Sequence, residues 1–378
     1  MAEECMVLLK NQTPQSSSSL SLSSPLLPLK QGTKLFVCGP NADSFRTMNG
    51  GWTYTWQGNK TDEVCGKIGK YRTFLGALEA KFGKDNVEYS PMVAYDASGN
   101  ANMGEDFRLD HQVPELLIAD GNSTGDKINR ADVIVAFIGE NSYTETVGNI
   151  DDLTLSQNQL DMVKALAATG KPVILVLNEG RPRIINEIEP LAAAIVHTFL
   201  PGNYGGDALA NLLAGDANFS GRMPYTYPKY HGSFITYDCK PCEYVETMDG
   251  AYNYEANTTV QWPFGYGLSY TTVKYSNLAY RKDGETLTFT VDLENLGDEA
   301  VKEPVLLFVS DLVASLTPDI KRLRAFDKVA LAGREKKTVT LSIKVDDLAF
   351  VDNDLQWVVE PGEFKAAVGG QTLVFELK

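Results

Sequence analysis

With 378 residues, 43% hydrophobic and 22% charged, the chain has the composition of an ordinary globular protein and is long enough for two domains or more. Its formal charge of −15 argues against nucleic acid, which needs a concentrated basic surface, and leaves neutral or cationic ligands open. No stretch of about 18 apolar residues occurs, so no membrane partner is expected.

The start, Met1-Ala2-Glu3-Glu4-Cys5, is acidic and lacks the basic and apolar regions of a signal peptide. Sequons begin at Asn11, Asn59, Asn122, Asn218 and Asn257, a modest hint of a secretory history. Residues 13–28 are rich in Ser, Pro and Leu, so residues 1–30 read as a linker carrying a Ser-rich insertion.

Apolar runs then alternate with helical patterns. Lys34–Cys38, Val133–Ile138, Pro172–Leu177 and Ala193–Phe199 are strand candidates, each followed by Gly, Pro or Asn turn chemistry. Ser156 and Gln159 have capping-box spacing ahead of a helix whose Leu160, Val163 and Leu166 share one face, and Gly170 closes it. A second helix runs from about Asp207 to Ala214 with Leu209, Leu212 and Leu213 inward. This βαβα order predicts an α/β domain over 31–232, a mostly parallel sheet with helices on both faces.

Residues 233–270 read as a connecting segment. From about residue 271 the period changes to two. Thr286–Leu293, Thr338–Ile343 and Thr372–Leu377 alternate polar and apolar, and Asp283-Gly284 and Pro361-Gly362 supply turns. The second domain, 271–378, is therefore an all-β, immunoglobulin-like antiparallel sandwich.

The segment Gly139–Asn149 leaves the carboxyl end of the Val133–Ile138 strand, where open α/β sheets place ligand chemistry. It carries two carboxylates, Glu140 and Glu145, which taken alone are equally readable as solvated loop acids; in this position either can serve as a general acid. Trp52 and Trp56, in the Gly-flanked run Gly50–Gly58, are either a core anchor or a flat apolar platform for a sugar ring. Asn178–Pro182 and Leu200–Gly206 read as tight strand-to-helix turns.

His111, His197 and His231 are isolated, and core or surface histidine is the default. Cys239 and Cys242 form a CxxC without a second pair or a nearby His, so a local disulfide or free thiols are expected rather than a metal. No Walker motif occurs and no GxGxxG follows a strand. No cofactor is expected.

Eight motifs follow one another in the order found in glycoside hydrolase family 3: Val7–Asn11, Leu26–Leu29, Gly39–Ala42, Gly51–Gly58, Gly139–Gly148, Leu200–Gly202, Gly221–Pro224 and Trp262–Tyr270. The chain resembles that family's C-terminal half, an α/β sandwich followed by a fibronectin type III-like domain. Gly51–Gly58 and Gly139–Gly148 look most like the exo-β-glucanase and β-glucosidase branch typified by plant cell-wall enzymes.

The resemblance implies a retaining exo-glycosidase of polysaccharide catabolism, acting on a β-glucoside or β-glucan oligosaccharide. It makes Glu145 the acid/base and Trp56 the platform beside the leaving-group sugar. Trp52 and Glu140 complete the candidate substrate site, with Glu140 in a supporting role that orients the loop. It also implies that the nucleophilic Asp belongs to a (β/α)8 barrel, which takes about 250 residues and has no counterpart here. The isolated chain is therefore expected to be inactive, its partner a barrel domain or subunit and its parent enzyme secreted or in the secretory pathway. The alternative is a non-catalytic carbohydrate-binding or interaction module derived from the family.

Overall fold

The computed structural model describes residues 1–13, 24–95, 124–233, 235–243 and 259–378, the side chains of Val147 and Cys242 excepted. These residues form two compact units, Met1–Gly221 and Arg222–Lys378.

The first unit is built on a six-stranded sheet. In chain order its strands are β1 (Val7–Asn11), β2 (Leu35–Cys38), β3 (Val87–Tyr89), β4 (Val133–Gly139), β5 (Val173–Asn178) and β6 (Ala194–His197). Their spatial order is β1-β6-β5-β4-β2-β3, parallel except for β1. β4, β5 and β6 are buried along their whole length, as strands covered on both faces must be. The helices among the described residues are α1 (Ala2–Cys5), α2 (Phe45–Asn49), α3 (Thr61–Ile68), α4 (Phe74–Phe82), α5 (Thr124–Arg130), α6 (Gln157–Ala168) and α7 (Gly205–Ala214).

Helix α4 buries Phe74, Leu78 and Phe82, and the Phe74 ring stacks on Phe137 of β4 at 5.0 Å. Its N-cap is Thr73, whose hydroxyl accepts from the Gly76 amide (3.2 Å) and donates to Asp43 (2.7 Å). Thr73→Ala removes the cap and is expected to cost about 1 kcal/mol in chemical denaturation.

The reading of residues 1–30 as a linker needs correction. Val7–Asn11 is the antiparallel edge strand against β6, and Met6, Val7, Leu8 and Leu9 are buried. Four apolar residues in a row, followed by polar chain, carry too little period to announce a strand. The Asn11 side chain donates to the Leu27 carbonyl (2.9 Å) and accepts from its amide (3.0 Å), and Leu26 N donates to Gln12 O (3.1 Å). Hydrogen bonds thus join Asn11 and Gln12 to Leu26 and Leu27.

In the second unit, seven strands make two antiparallel sheets. One has the order β13-β10-β9, from β9 (Val273–Asp283), β10 (Thr286–Asn295) and β13 (Lys336–Lys344). The other has the order β12-β11-β16-β17, from β11 (Val301–Asp311), β12 (Arg322–Leu331), β16 (Gly362–Val368) and β17 (Gln371–Leu377). Leu287, Phe289 and Val291 of β10 lie opposite Ile343, Leu341 and Val339 of β13 and point into one core with Phe364 and Phe375.

Two short pairs complete the unit: β7 (Tyr227–Pro228) with β8 (Val260–Trp262), and β14 (Phe350–Val351) with β15 (Trp357–Val358). Met223 exchanges backbone hydrogen bonds with Gly265 and Tyr266, both 2.8 Å. The compact division falls at Gly221/Arg222 rather than near residue 232, and within the expected connecting segment Val260–Trp262 is strand paired with β7.

Candidate active site

The sheet reverses its order beside β2. The chain leaves β2 for β3 on one side and resumes with β4 on the other, which opens a crevice beyond the carboxyl ends of β2 and β4. Two glycines let the strand ends close here. A Cβ on Gly39 (φ +97°) would lie 2.0 Å from the Phe137 carbonyl oxygen, and one on Gly139 (φ +142°) 2.1 Å from that of Asn178.

Buried Asn41 ties the strand ends together. Its amide donates to the carbonyls of Glu140 (3.0 Å) and Asn178 (3.1 Å) and to Asn178 Oδ1 (3.0 Å), while Tyr95 Oη donates to Asn41 Oδ1 (2.7 Å). Gln159 does not form the expected capping box. Its carboxamide turns inward, accepting from Gly139 N (2.9 Å) and donating to Gly139 O (3.1 Å). Pairing the backbone of this buried strand end, whose Gly139 carbonyl also accepts from Tyr95 Oη (3.1 Å), outweighs satisfying an exposed helix terminus.

The loop beyond Gly139 is fastened at both ends. Glu140 is 1% exposed and its Oε1 accepts from Arg181 Nε (2.6 Å) and Arg183 Nη1 (2.8 Å). Arg181 also donates to the Gly148 carbonyl (2.5 Å), and its guanidinium lies 4.0 Å from the centroid of the Tyr143 ring. One arginine thus joins the loop's first residue, its middle and its last turn. Burial, reinforced by the Glu140 carboxylate, pushes the Tyr143 phenol well above its ordinary value, so it stays neutral.

Between these anchors Glu145 opens a 3-10 turn, Glu145–Gly148, and is exposed. Its φ of +49° is in the left-handed region. A non-glycine residue is strained there, and such strain collects at functional sites. Glu145 is therefore accessible, on a strained backbone turn, whereas Glu140 is sealed from solvent. The placing of Glu140 among substrate-contacting residues is corrected: it is an internal counter-ion.

The aromatic run is no core anchor. Trp52 is 67% exposed and Trp56 46%, with Tyr54 also exposed. Trp52 N donates to Trp56 O (2.8 Å), closing a turn in which Trp52 and Tyr54 have positive φ. This turn is bound to the Glu145 loop. Gln57 Nε2 donates to Thr144 Oγ1 (2.6 Å), Ser142 Oγ donates to Gln57 O (2.6 Å), and buried Arg46 donates to Ser142 Oγ (2.6 Å). Gly51 packs so closely that a Cβ there would fall 2.0 Å from Thr144 Cγ2.

Several of these residues were not singled out from the sequence. Arg46 carries no motif of its own, Gln57 is read only as part of the Gly50–Gly58 run, and Gln159 is read as a capping residue rather than as a support of the site. For Arg181 and Arg183 the available signal was two arginines just past a buried strand, opposite a carboxylate at the end of the neighbouring one. His197 is a core histidine: its Nδ1 accepts from Phe199 N (3.0 Å), and Nε2 lies 3.5 Å from buried Glu179. Cys239 is a free thiol, and among the described residues no group of three or more His, Cys, Asp or Glu is arranged to hold a metal. His111 lies outside the described residues.

Residues 6–270 match the model of the glycosyl hydrolase family 3 C-terminal domain, and residues 303–372 that of the fibronectin type III-like domain. The chain belongs to glycosyl hydrolase family 3. Among its family 3 relatives, the lysosomal beta glucosidase of Dictyostelium discoideum is 32% identical over 98% of this chain and 43% of its own length. A beta-xylosidase of Formosa agariphila is 32% identical over 100% of this chain and 48% of its own. The crystal structure of beta-glucosidase from Listeria innocua in complex with isofagomine superposes with a TM-score of 0.78 and 26% identity, covering 100% of this chain and 49% of that one. This family 3 chain thus spans about half the length of the relatives it matches.

Proposed function

We propose that this chain supplies the acid/base carboxylate, Glu145, and an aromatic sugar platform, Trp56 with Trp52, to a retaining exo-acting β-glucosidase or exo-β-glucanase. The observation that carries the reading is the pairing of one exposed carboxylate, on a left-handed backbone turn, with an exposed Trp turn hydrogen-bonded to the same loop, at the sheet's switch point. The names of the relatives agree with this chemistry, β-glucosidases foremost and a β-xylosidase among them.

In the proposed reaction a carboxylate of the remaining part of the enzyme attacks the anomeric carbon. Glu145 gives its proton to the glycosidic oxygen, so the aglycone leaves as a neutral alcohol. The Glu145 carboxylate then takes a proton from water, whose oxygen displaces the enzyme carboxylate and restores the original anomeric configuration. Retention needs the two carboxyl groups about 5 to 5.5 Å apart. The nucleophile is assigned to a (β/α)8 barrel, the part of the relatives that this chain does not span. We place the parent enzyme in a secretory or equivalent compartment, in keeping with the sequons and with relatives named lysosomal and periplasmic.

The test is release of 4-nitrophenol from its β-D-glucoside. The 378-residue chain alone should release none above buffer, and release should begin when a family 3 barrel is supplied, joined or separate. Turnover by the chain alone, abolished by Glu145→Gln, would place the nucleophile inside it and overturn the division. Because Trp52, Tyr54 and Trp56 are exposed without a barrel, a purely sugar-binding role is the second reading. It would be favoured by oligosaccharide binding in titration together with no turnover in the joined protein.

A further inference from the structure

The second unit contains a cleft of about 300 Å³ formed entirely by its own residues, lying between the end of β11, the start of β12 and the β14–β15 pair. Five charged side chains line it: Lys240, Arg322, Arg324, Asp311 and Asp319. Most of this charge is matched internally. Asp319 takes Lys240 Nζ at 2.7 Å and the Arg322 guanidinium, while Asp311 accepts from Val313 N (3.2 Å).

Arg324 is different. Its side chain is half-buried, its Nε is shielded from solvent, and among the described residues that nitrogen has no hydrogen-bond partner and the guanidinium no ion pair. Burial and the neighbouring Arg322 charge hold it below the usual arginine value. Asp319 and Asp347 act on it only from a distance; a guanidinium kept partly out of water with no carboxylate in contact costs stability, and its rigid fork is shaped for one. At the same cleft stands Trp357, 75% exposed on the two-residue strand β15. Indole offers a flat apolar face of the kind that sugar rings cover. A cavity of this size is at the lower end for small-molecule sites, enough for one sugar unit.

We propose that this cleft binds an acidic sugar unit, a hexuronic acid residue, with its carboxylate on Arg324 and its ring face against Trp357. The site stands independently of the glycosidase reading, since it uses only residues of the second unit. It would hold the protein to carboxylated polysaccharide.

Isothermal titration of the full chain with sodium glucuronate, glucose, acetate and inorganic phosphate tests it. Glucuronate should bind at least about tenfold more tightly than the other three, because a charge-assisted pair and a stacked ring act together. Arg324→Gln should weaken glucuronate at least about tenfold, and Trp357→Ala severalfold. Arg324→Gln should leave the melting temperature unchanged or higher, since it removes a half-buried charge that no carboxylate contacts. Four results would each overturn the proposal: no glucuronate binding; acetate, phosphate or glucose binding equally well; affinity that survives both substitutions; or clear destabilisation by Arg324→Gln, which would show that Arg324 has a structural partner.

Discussion

Glu145→Gln, placed in a protein that joins this chain to a (β/α)8 barrel, is expected to lower kcat/KM for β-glucosides with poor leaving groups by about 10² to 10⁴. Each factor of ten corresponds to about 1.4 kcal/mol of lost transition-state stabilisation. The size of the loss depends on the leaving group. An alkoxide or a sugar hydroxyl must be protonated as the bond breaks, whereas a dinitrophenolate leaves without help. Leaving-group dependence measured across aryl glucosides should steepen in the variant. Folding should be unaffected, because the side chain is exposed and carries no packing. A uniform loss across all leaving groups, or no loss, would remove Glu145 from the acid role.

The second large effect concerns stability. Glu140→Ala takes the carboxylate away from Arg183, 3% exposed, and from Arg181, 22% exposed. Arg183 keeps its bonds to the carbonyls of Leu153 and Thr154, but its charge loses the Glu140 carboxylate in a place water does not reach. Breaking a buried pair in this way costs about 3–5 kcal/mol. In a unit of this size that is a fall of roughly 6–20 °C in melting temperature. Glu140→Gln keeps an oxygen for one guanidinium and should lose less. The same substitution frees the loop at its first residue, so in the joined enzyme kcat should fall more than the exposure of Glu140 alone would suggest. A calorimetric loss below about 1 kcal/mol for Glu140→Ala, within the range of a surface pair, would show that Glu140 does not neutralise the arginines.

How far the sequence was readable depended on how local each signal was. β4, β5 and β6 were legible because two-sided burial leaves an unbroken apolar run, and β10, β13 and β17 because one-sided burial leaves strict alternation. The site loop was legible by its place after β4. β1 was not, since a short edge strand next to polar chain shows no period. Contacts between distant segments were harder to read: Gln57 with Thr144 leaves no trace in either segment's pattern, and Glu140 with Arg181 and Arg183 leaves only opposite charges at the ends of neighbouring strands. Gln159 matched a capping box in spacing, yet the buried backbone of Gly139 made a stronger claim on its carboxamide. For Trp52 and Trp56, composition allowed core or platform; in the fold both rings are exposed, on a turn where Trp52 and Tyr54 have positive φ.

The central claim, that Glu145 is the acid/base of a retaining reaction, is tested most directly by anion rescue. In the barrel-joined protein, Glu145→Gly with a dinitrophenyl β-glucoside should form the glycosyl-enzyme normally and then stall, because no carboxylate remains to activate water. Azide can occupy the vacated space and attack in place of water. The account predicts that turnover rises with azide concentration and that the product is β-glucosyl azide, identified by its anomeric proton coupling. No rescue, or an α-configured azide, would contradict it.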